Sequence, residues 1–269
     1  MQQHSLTASD GTKLSYTLAG EANGIPVLLC HGLGAAGLQL RDDANWFAAR
    51  GYRVLVPDLR GHGASGLPPQ MTRAAFAPER LRADLFEMLD QAGMDACHFV
   101  GNSLGGILGL GAAATGAQRR RLRSLAIFGT ALALDLPAAG WSFVALDYLP
   151  GRRALAWMTA RATTRNAAAR PLIAAMLRQY DARAAAHIVD HIRHYDLRSA
   201  AQDWTGPGLV LVGERDKAVN RALLGQLPAL LQQANWRILD LPEGGHCANL
   251  DATEPWRAHL LSFWQSVPG

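Results

Sequence analysis

Short apolar runs recur along the chain, each closed by glycine or by a polar turn: Ile25–Cys30 and residues 52–56, 96–100, 125–128 and 208–212. They are too short for buried helices and lack strict alternation, the pattern of strands covered on both faces. A last strand is expected at Trp236–Leu241. Amphipathic stretches separate the runs. Residues 38–50 close with Gly51, and Pro78–Gln91 carries Leu81, Leu85, Met88 and Leu89 on one helical stripe before Gly93. Residues 107–114, 221–233 and 252–264 read as further helices, the first of them rich in Leu, Ala and Gly and suited to close packing on a sheet. Ahead of the first run, residues 6–8 and Lys13–Ala19 flank Asp10-Gly11, which predicts a β-hairpin.

Buried strands alternating with amphipathic helices predict an α/β fold, with a mostly parallel central sheet and helices on both faces. Ligands of such sheets bind beyond the carboxyl ends of the strands. His31, Asp58 and Ser103 fall at such ends. The alternation breaks between Leu136 and Trp204, where helical runs rich in Ala and Arg occur and no strand-like run does. A helical cap over residues 136–204 is therefore expected, inserted into a core made of residues 1–135 and 205–269. Its Trp141, Phe143, Trp157, Met158 and Met176 either line a pocket or form the cap's own core.

Composition narrows the class. With 49% hydrophobic and 18% charged residues among 269, the chain is globular and not disordered. The net charge of +4 is mild, and the cluster Arg119-Arg120-Arg121 with Arg123 suits a solvated turn at a helix end, so neither nucleic acid nor a membrane surface is expected as a partner. Three cysteines without framework spacing point to a reducing compartment, and Cys30 and Cys97 to inert core thiols. Residues 1–9 carry no leader pattern and no apolar stretch reaches the length of a span, which places the expected location in the cytoplasm. The oligomeric state stays open.

The chemistry centres on Gly101-Asn102-Ser103-Leu104-Gly105-Gly106, between an apolar run and a helical one. A strand that turns into a helix at G-x-S-x-G holds the serine in a strained turn, with its Oγ over the helix N-terminus, where free N–H groups favour an oxyanion. A serine needs a base, and the base an orienting acid. Asp216 follows the strand at residues 208–212, and His246 follows the last strand in Glu243-Gly244-Gly245-His246. Asp216 has two alternatives to weigh: it could cap the next helix, and Glu214 could be the acid instead. His31, His62 and Asp58 suit scaffolding of the loops they occupy. His187, His191 and His194, with Asp190, recur at helical spacing, but Ile188 stands where a H-E-x-x-H site needs glutamate, so surface histidines are expected and no metal.

These segments together resemble the capped members of the α/β-hydrolase fold superfamily, over nearly the whole chain. His31-Gly32-Leu33-Gly34 is similar to the family's oxyanion loop, the run from Asp58 to Ser65 to the segment after its fourth strand, Gly213-Glu214-Arg215-Asp216 to its acid turn, and Gly245-His246 with Asn249-Leu250 to its histidine turn. The resemblance implies Ser103 as nucleophile, His246 as base, Asp216 rather than Glu214 as acid, and the backbone N–H groups of Leu33 and Leu104 as the oxyanion hole, with no cofactor. Serine at the elbow argues against relatives that use aspartate there, such as epoxide hydrolases. The elbow is similar to that of hydrolases cleaving carbon–carbon bonds in ring-fission products, but those usually carry Trp after the histidine, where this chain has Cys247. The run from His246 to Leu250 looks more like carboxylesterases and enol-lactonases. The implied function is hydrolysis of a small carboxylic ester or lactone through an acyl-enzyme. Carbon–carbon hydrolysis and slow-turnover ligand reception on the same fold are the alternatives. The cap arginines are expected to face solvent rather than a substrate carboxylate.

Overall fold

A computed structural model of the chain describes residues 1–136 and 151–267. Eight strands form one sheet: β1 (Gln2–Thr7), β2 (Lys13–Ala19), β3 (Ile25–Cys30), β4 (Tyr52–Asp58), β5 (Cys97–Asn102), β6 (Leu122–Phe128), β9 (Gly208–Gly213) and β10 (Trp236–Leu241). Their spatial order is β1-β2-β4-β3-β5-β6-β9-β10. The β1–β2 and β2–β4 pairs are antiparallel and the other pairs parallel. The chain leaves β3 towards β4 on one side, then crosses to β5 on the other. The order therefore reverses between β3 and β5, whose carboxyl ends carry the His31–Gly34 loop and Ser103, and such a reversal opens a crevice.

Helices close both faces, as the alternation of buried strands requires. On one side α2 (Pro78–Gln91) and α3 (Leu104–Ala114) bring Leu81, Leu85, Met88, Leu89 and Leu108 into one buried cluster with Phe99. On the other, α1 (Arg41–Ala48) and the helix Thr253–Gln265 pack Phe47 against Trp256 and Trp264, with ring centroids 6.1 and 4.7 Å apart. Every residue of α3 except Ala114 is buried, and its glycines stand where a Cβ would strike a neighbour, as at Gly109 against Phe99 and Leu125.

Three elements differ from the sequence expectation. The segment at 38–50 begins as a 3₁₀ turn, Gly37–Leu40, before α1. The helix expected over 221–233 is two short helices, Asn220–Leu223 and Leu227–Leu231, because Pro228 has no N–H to donate to a preceding turn and opens a new helix. The stretch expected to lack strands contains β8 (His194–Asp196), which pairs antiparallel with β7 (Ala133–Asp135). Three residues are too few to show a period of two.

Between these two strands run the helices Arg152–Thr163, Arg170–Met176 and Ala182–Ile192. Met176 is buried with Ala156, Ala160 and Ile173 in a cluster that these helices share with Ala36 and Cys247, while Trp157 and Met158 are exposed. Trp141 and Phe143 lie outside the described residues. No helix among the described residues is long and apolar enough to cross a membrane.

Candidate active site

Ser103 has φ 51° and ψ −113°, and it alone among the described non-glycine residues has a positive φ. Strain of this kind costs about 1–3 kcal/mol and persists only where the surroundings fix it. Here the Ser103 amide donates to the Phe128 carbonyl at 3.0 Å, and α3 starts at the next residue. The glycines of the elbow have steric reasons. A Cβ on Gly101 would stand 2.3 Å from the Gly105 carbonyl carbon, and one on Gly105 would stand 2.4 Å from the Cys30 carbonyl oxygen. As the first residue of α3, Leu104 has no carbonyl within the helix to receive its N–H.

His246 sits beyond β10, with Nδ1 2.9 Å from Asp216 Oδ2. The carboxylate partner holds a proton on Nδ1 and leaves Nε2 as the basic nitrogen. Asp216 is 3% exposed, and its Oδ1 accepts the amides of Ala218 and Val219 at 3.1 and 3.2 Å. Asp216 therefore orients His246 with one oxygen and braces the turn before the helix Asn220–Leu223 with the other; the N-cap of that helix is Val219. Glu214 is exposed. Ser103 and His246 line one cavity of about 360 Å³ with Leu33, and its walls are apolar at Ile107, Val189 and Ile192. No hydrogen bond joins Ser103 Oγ to His246 Nε2; such contacts commonly tighten only around substrate.

Two buried histidines hold the loop that carries Leu33. His31 donates from Nδ1 to the Gly32 carbonyl at 2.7 Å, and its Nε2 accepts the Leu59 amide at 3.1 Å. His62 repeats the arrangement, donating to the Arg60 carbonyl and accepting the Gly34 amide at 3.1 Å. Burial pushes both imidazoles down to about 4, so both are neutral at pH 7. Asp58 accepts the amides of Gly37 and Ala64 at 2.8 and 2.9 Å, which makes it a loop brace as expected.

Other polar side chains brace this region; Asn102 and Asn249 fall in segments read from the sequence, whereas Gln39, Asp43 and Asp251 were not legible as part of it. Asn102 Nδ2 donates to the His246 carbonyl at 3.0 Å, and Asn102 Oδ1 accepts from Gln39, which also reaches Asn249. Asn249 in turn donates to Asp43, the partner of Arg257. This buried chain fixes the histidine loop from behind. Asp251 fixes it from the side, accepting the Gly245 amide at 2.9 Å.

The histidines of residues 187–194 do not converge. The His187 ring stacks on Phe76, His191 meets the Arg73 carbonyl at 2.8 Å, and His194 lies in β8 against Asp135. The cysteines are buried and free; burial pushes the thiols of Cys97 and Cys247 up to about 12 and that of Cys30 higher still. Cys247, beside His246, is therefore no rival nucleophile at neutral pH.

Known proteins resemble the chain in sequence and in fold. Epoxide hydrolase A of Mycobacterium tuberculosis is 34% identical over 103 residues, 38% of this chain and 31% of that protein. Lipase 1 of Psychrobacter immobilis is 35% identical over 113 residues, 41% of this chain and 33% of that protein. The matched stretch spans about a third of the length of these curated relatives. The crystal structure of the enol-lactonase from Burkholderia xenovorans superposes with a TM-score of 0.83, covering 98% of this chain and 100% of that one at 24% identity, a likeness of fold. The family described as "Alpha/beta hydrolase family" matches residues 27–258, and the chain belongs to it.

Proposed function

We propose that the protein is a serine hydrolase that cleaves a small carboxylic ester or lactone through an acyl-enzyme. The observation that carries this reading is the His246–Asp216 pair at the cavity that also holds the strained Ser103. With Nδ1 protonated by its contact to Asp216, His246 Nε2 takes the Ser103 proton as Oγ attacks the carbonyl. The tetrahedral oxyanion forms beside the N–H groups of Leu33 and Leu104. Leu33 belongs to the loop braced by His31 and His62, so its donor is held before substrate arrives. The imidazolium then protonates the leaving oxygen. Water attacks the acyl-enzyme with its proton passing to Nε2, and Ser103 is restored.

The name of the lipase relative agrees with ester cleavage. The apolar cavity favours a substrate with a hydrocarbon body. The segment between β7 and β9, whose helix Ala182–Ile192 contributes Val189 and Ile192 to the cavity, acts as the cap over Ser103. A panel of p-nitrophenyl esters and simple lactones, run on wild type and Ser103→Ala, tests the reading. Turnover in wild type that the variant lacks supports it. Equal turnover in both overturns the assignment of Ser103.

A further inference from the structure

Among the described residues lining the inner cavity, one is an arginine. Arg193 follows the helix Ala182–Ile192, and its backbone is pinned on both sides: its amide donates to the Val189 carbonyl at 2.8 Å, and its carbonyl accepts the Leu136 amide at 2.7 Å. The guanidinium takes part in no hydrogen bond or ion pair among the described residues. Other arginines nearby are paired, Arg183 with Asp181 and Arg198 with Asp196. None of the described residues lining the cavity is acidic, and Asp216 lies behind His246. Arg193 is half-buried, and a guanidinium without a protein partner beside an apolar wall can receive an anion in a charge-assisted hydrogen bond.

The approach carries charges of both signs. A wider cleft of about 900 Å³ shares Leu134, Leu136, Tyr195 and Ala218 with the inner cavity. Asp135 bonds His194 and Asp196 pairs with Arg198, whereas Arg221 has no partner among the described residues. Arg221 at the mouth and Arg193 inside are thus two cations on this route with no carboxylate partner among the described residues. The Tyr195 hydroxyl, on the wall between the two, is already committed as a donor to the Ala131 carbonyl at 3.0 Å, so it does not compete for the anion as a donor.

We propose that Arg193 forms a carboxylate subsite in the Ser103 cavity and that the ester or lactone cleaved there bears a free carboxylate. This rests on the hydrolase reading above, and it reverses the expectation that cap arginines face only solvent. The test compares mono-p-nitrophenyl adipate with the neutral p-nitrophenyl hexanoate, using the ratio of their kcat/KM values, which cancels differences in the amount of folded protein. Wild type is expected to prefer the adipate. Arg193→Met should lower the ratio about tenfold, the worth of one charge-assisted hydrogen bond, and Arg193→Lys should retain most of it. A wild-type preference for the neutral ester, or a ratio that Arg193→Met leaves unmoved, overturns the subsite. If wild type cleaves neither ester, the hydrolase reading fails and calorimetric binding of adipate decides the subsite by itself. Affinity lost in Arg193→Met then supports it, and affinity equal in both proteins, or absent, overturns it.

Discussion

Asp251 accepts the amide of Gly245, the residue before His246, at 2.9 Å, and with its other oxygen it receives the Thr164 hydroxyl. The amides of Arg165 and Asn166 reach that same oxygen at 3.1 Å. One carboxylate therefore fastens the end of the helix Arg152–Thr163 to the loop that carries His246. The contact is as close as glycine permits, since a Cβ on Gly245 would stand 2.5 Å from Asp251 Oδ2.

Asp251→Ala leaves those donors unpaired and lets the loop shift. A displacement of about 1 Å at a catalytic group costs up to about a hundredfold in rate. The expected result is a fall in kcat with little change in KM, because Asp251 is absent from the described cavity lining. Steady-state kinetics on one ester check this, and an unchanged kcat would show the clamp to be structural alone.

Asp216→Asn separates the two duties of that carboxylate. The amide oxygen can still receive the Ala218 and Val219 amides, but its NH₂ then faces His246 Nδ1. The imidazole must accept there, which moves its proton to Nε2 and removes the base. Turnover should fall by about four orders of magnitude, with the thermal midpoint nearly kept. Glu214→Gln, at an exposed side chain, should leave turnover as in wild type. A loss in Glu214→Gln matching that in Asp216→Asn would reverse the assignment.

The sheet and its elbow were legible because their signals are local. Ile25–Cys30, Pro78–Gln91 and Trp236–Leu241 form with the boundaries read from the chain, each bounded by turn residues or a helix stop. The buried chain from Asn102 through Gln39 and Asn249 to Asp43 was not legible. Asn102 and Asn249 stand in the elbow and the histidine turn, but nothing in the sequence joins them through Gln39 and Asp43, and Gln39 meets Asn249 across 210 residues of sequence. Asp251 was hidden for the same reason, since its role depends on Thr164 and Gly245 arriving together. Arg193 reads as one more arginine in an arginine-rich segment until the fold places it in the lining of the cavity that holds Ser103.

Glycines of similar appearance in the sequence should behave in opposite ways. An alanine methyl at Gly105 would meet the Cys30 carbonyl oxygen at 2.4 Å, a backbone atom held within the sheet. Gly105→Ala is expected to destabilise by about 3 kcal/mol or to prevent folding. At Gly116 the nearest atom to a new Cβ is Arg120 Nη1 at 4.0 Å, and the residue opens a short helix with no positive φ. Gly116→Ala should stabilise by about 0.4–1 kcal/mol through the unfolded chain. Urea denaturation of the two variants checks both signs.

His31 and His62 give the fold an acid-side weakness at the oxyanion loop. Both are fully buried, and burial lowers each from 6.5 to about 4, assisted in His62 by the neighbouring His31. Between those two values the unfolded chain binds a proton that the native imidazole does not. Their contribution to stability is therefore whole above pH 6.5 and is lost as pH falls towards 4, with a slope of about 1.4 kcal/mol per pH unit for each histidine. Asp43, raised by burial to about 6, acts in the opposite sense over part of the same range, so the wild-type curve alone mixes the two. The difference between wild type and His62→Gln removes that background. Loss of the acceptor for the Gly34 amide should cost about 1–3 kcal/mol at pH 7. That cost should shrink as the pH is lowered from 6.5 to 4.5, because only wild type then pays for an unprotonated imidazole. Urea melts of both proteins at pH 7, 6 and 5 measure it. A cost that stays the same at all three would mean that His62 takes up its proton equally well in the folded and unfolded chains.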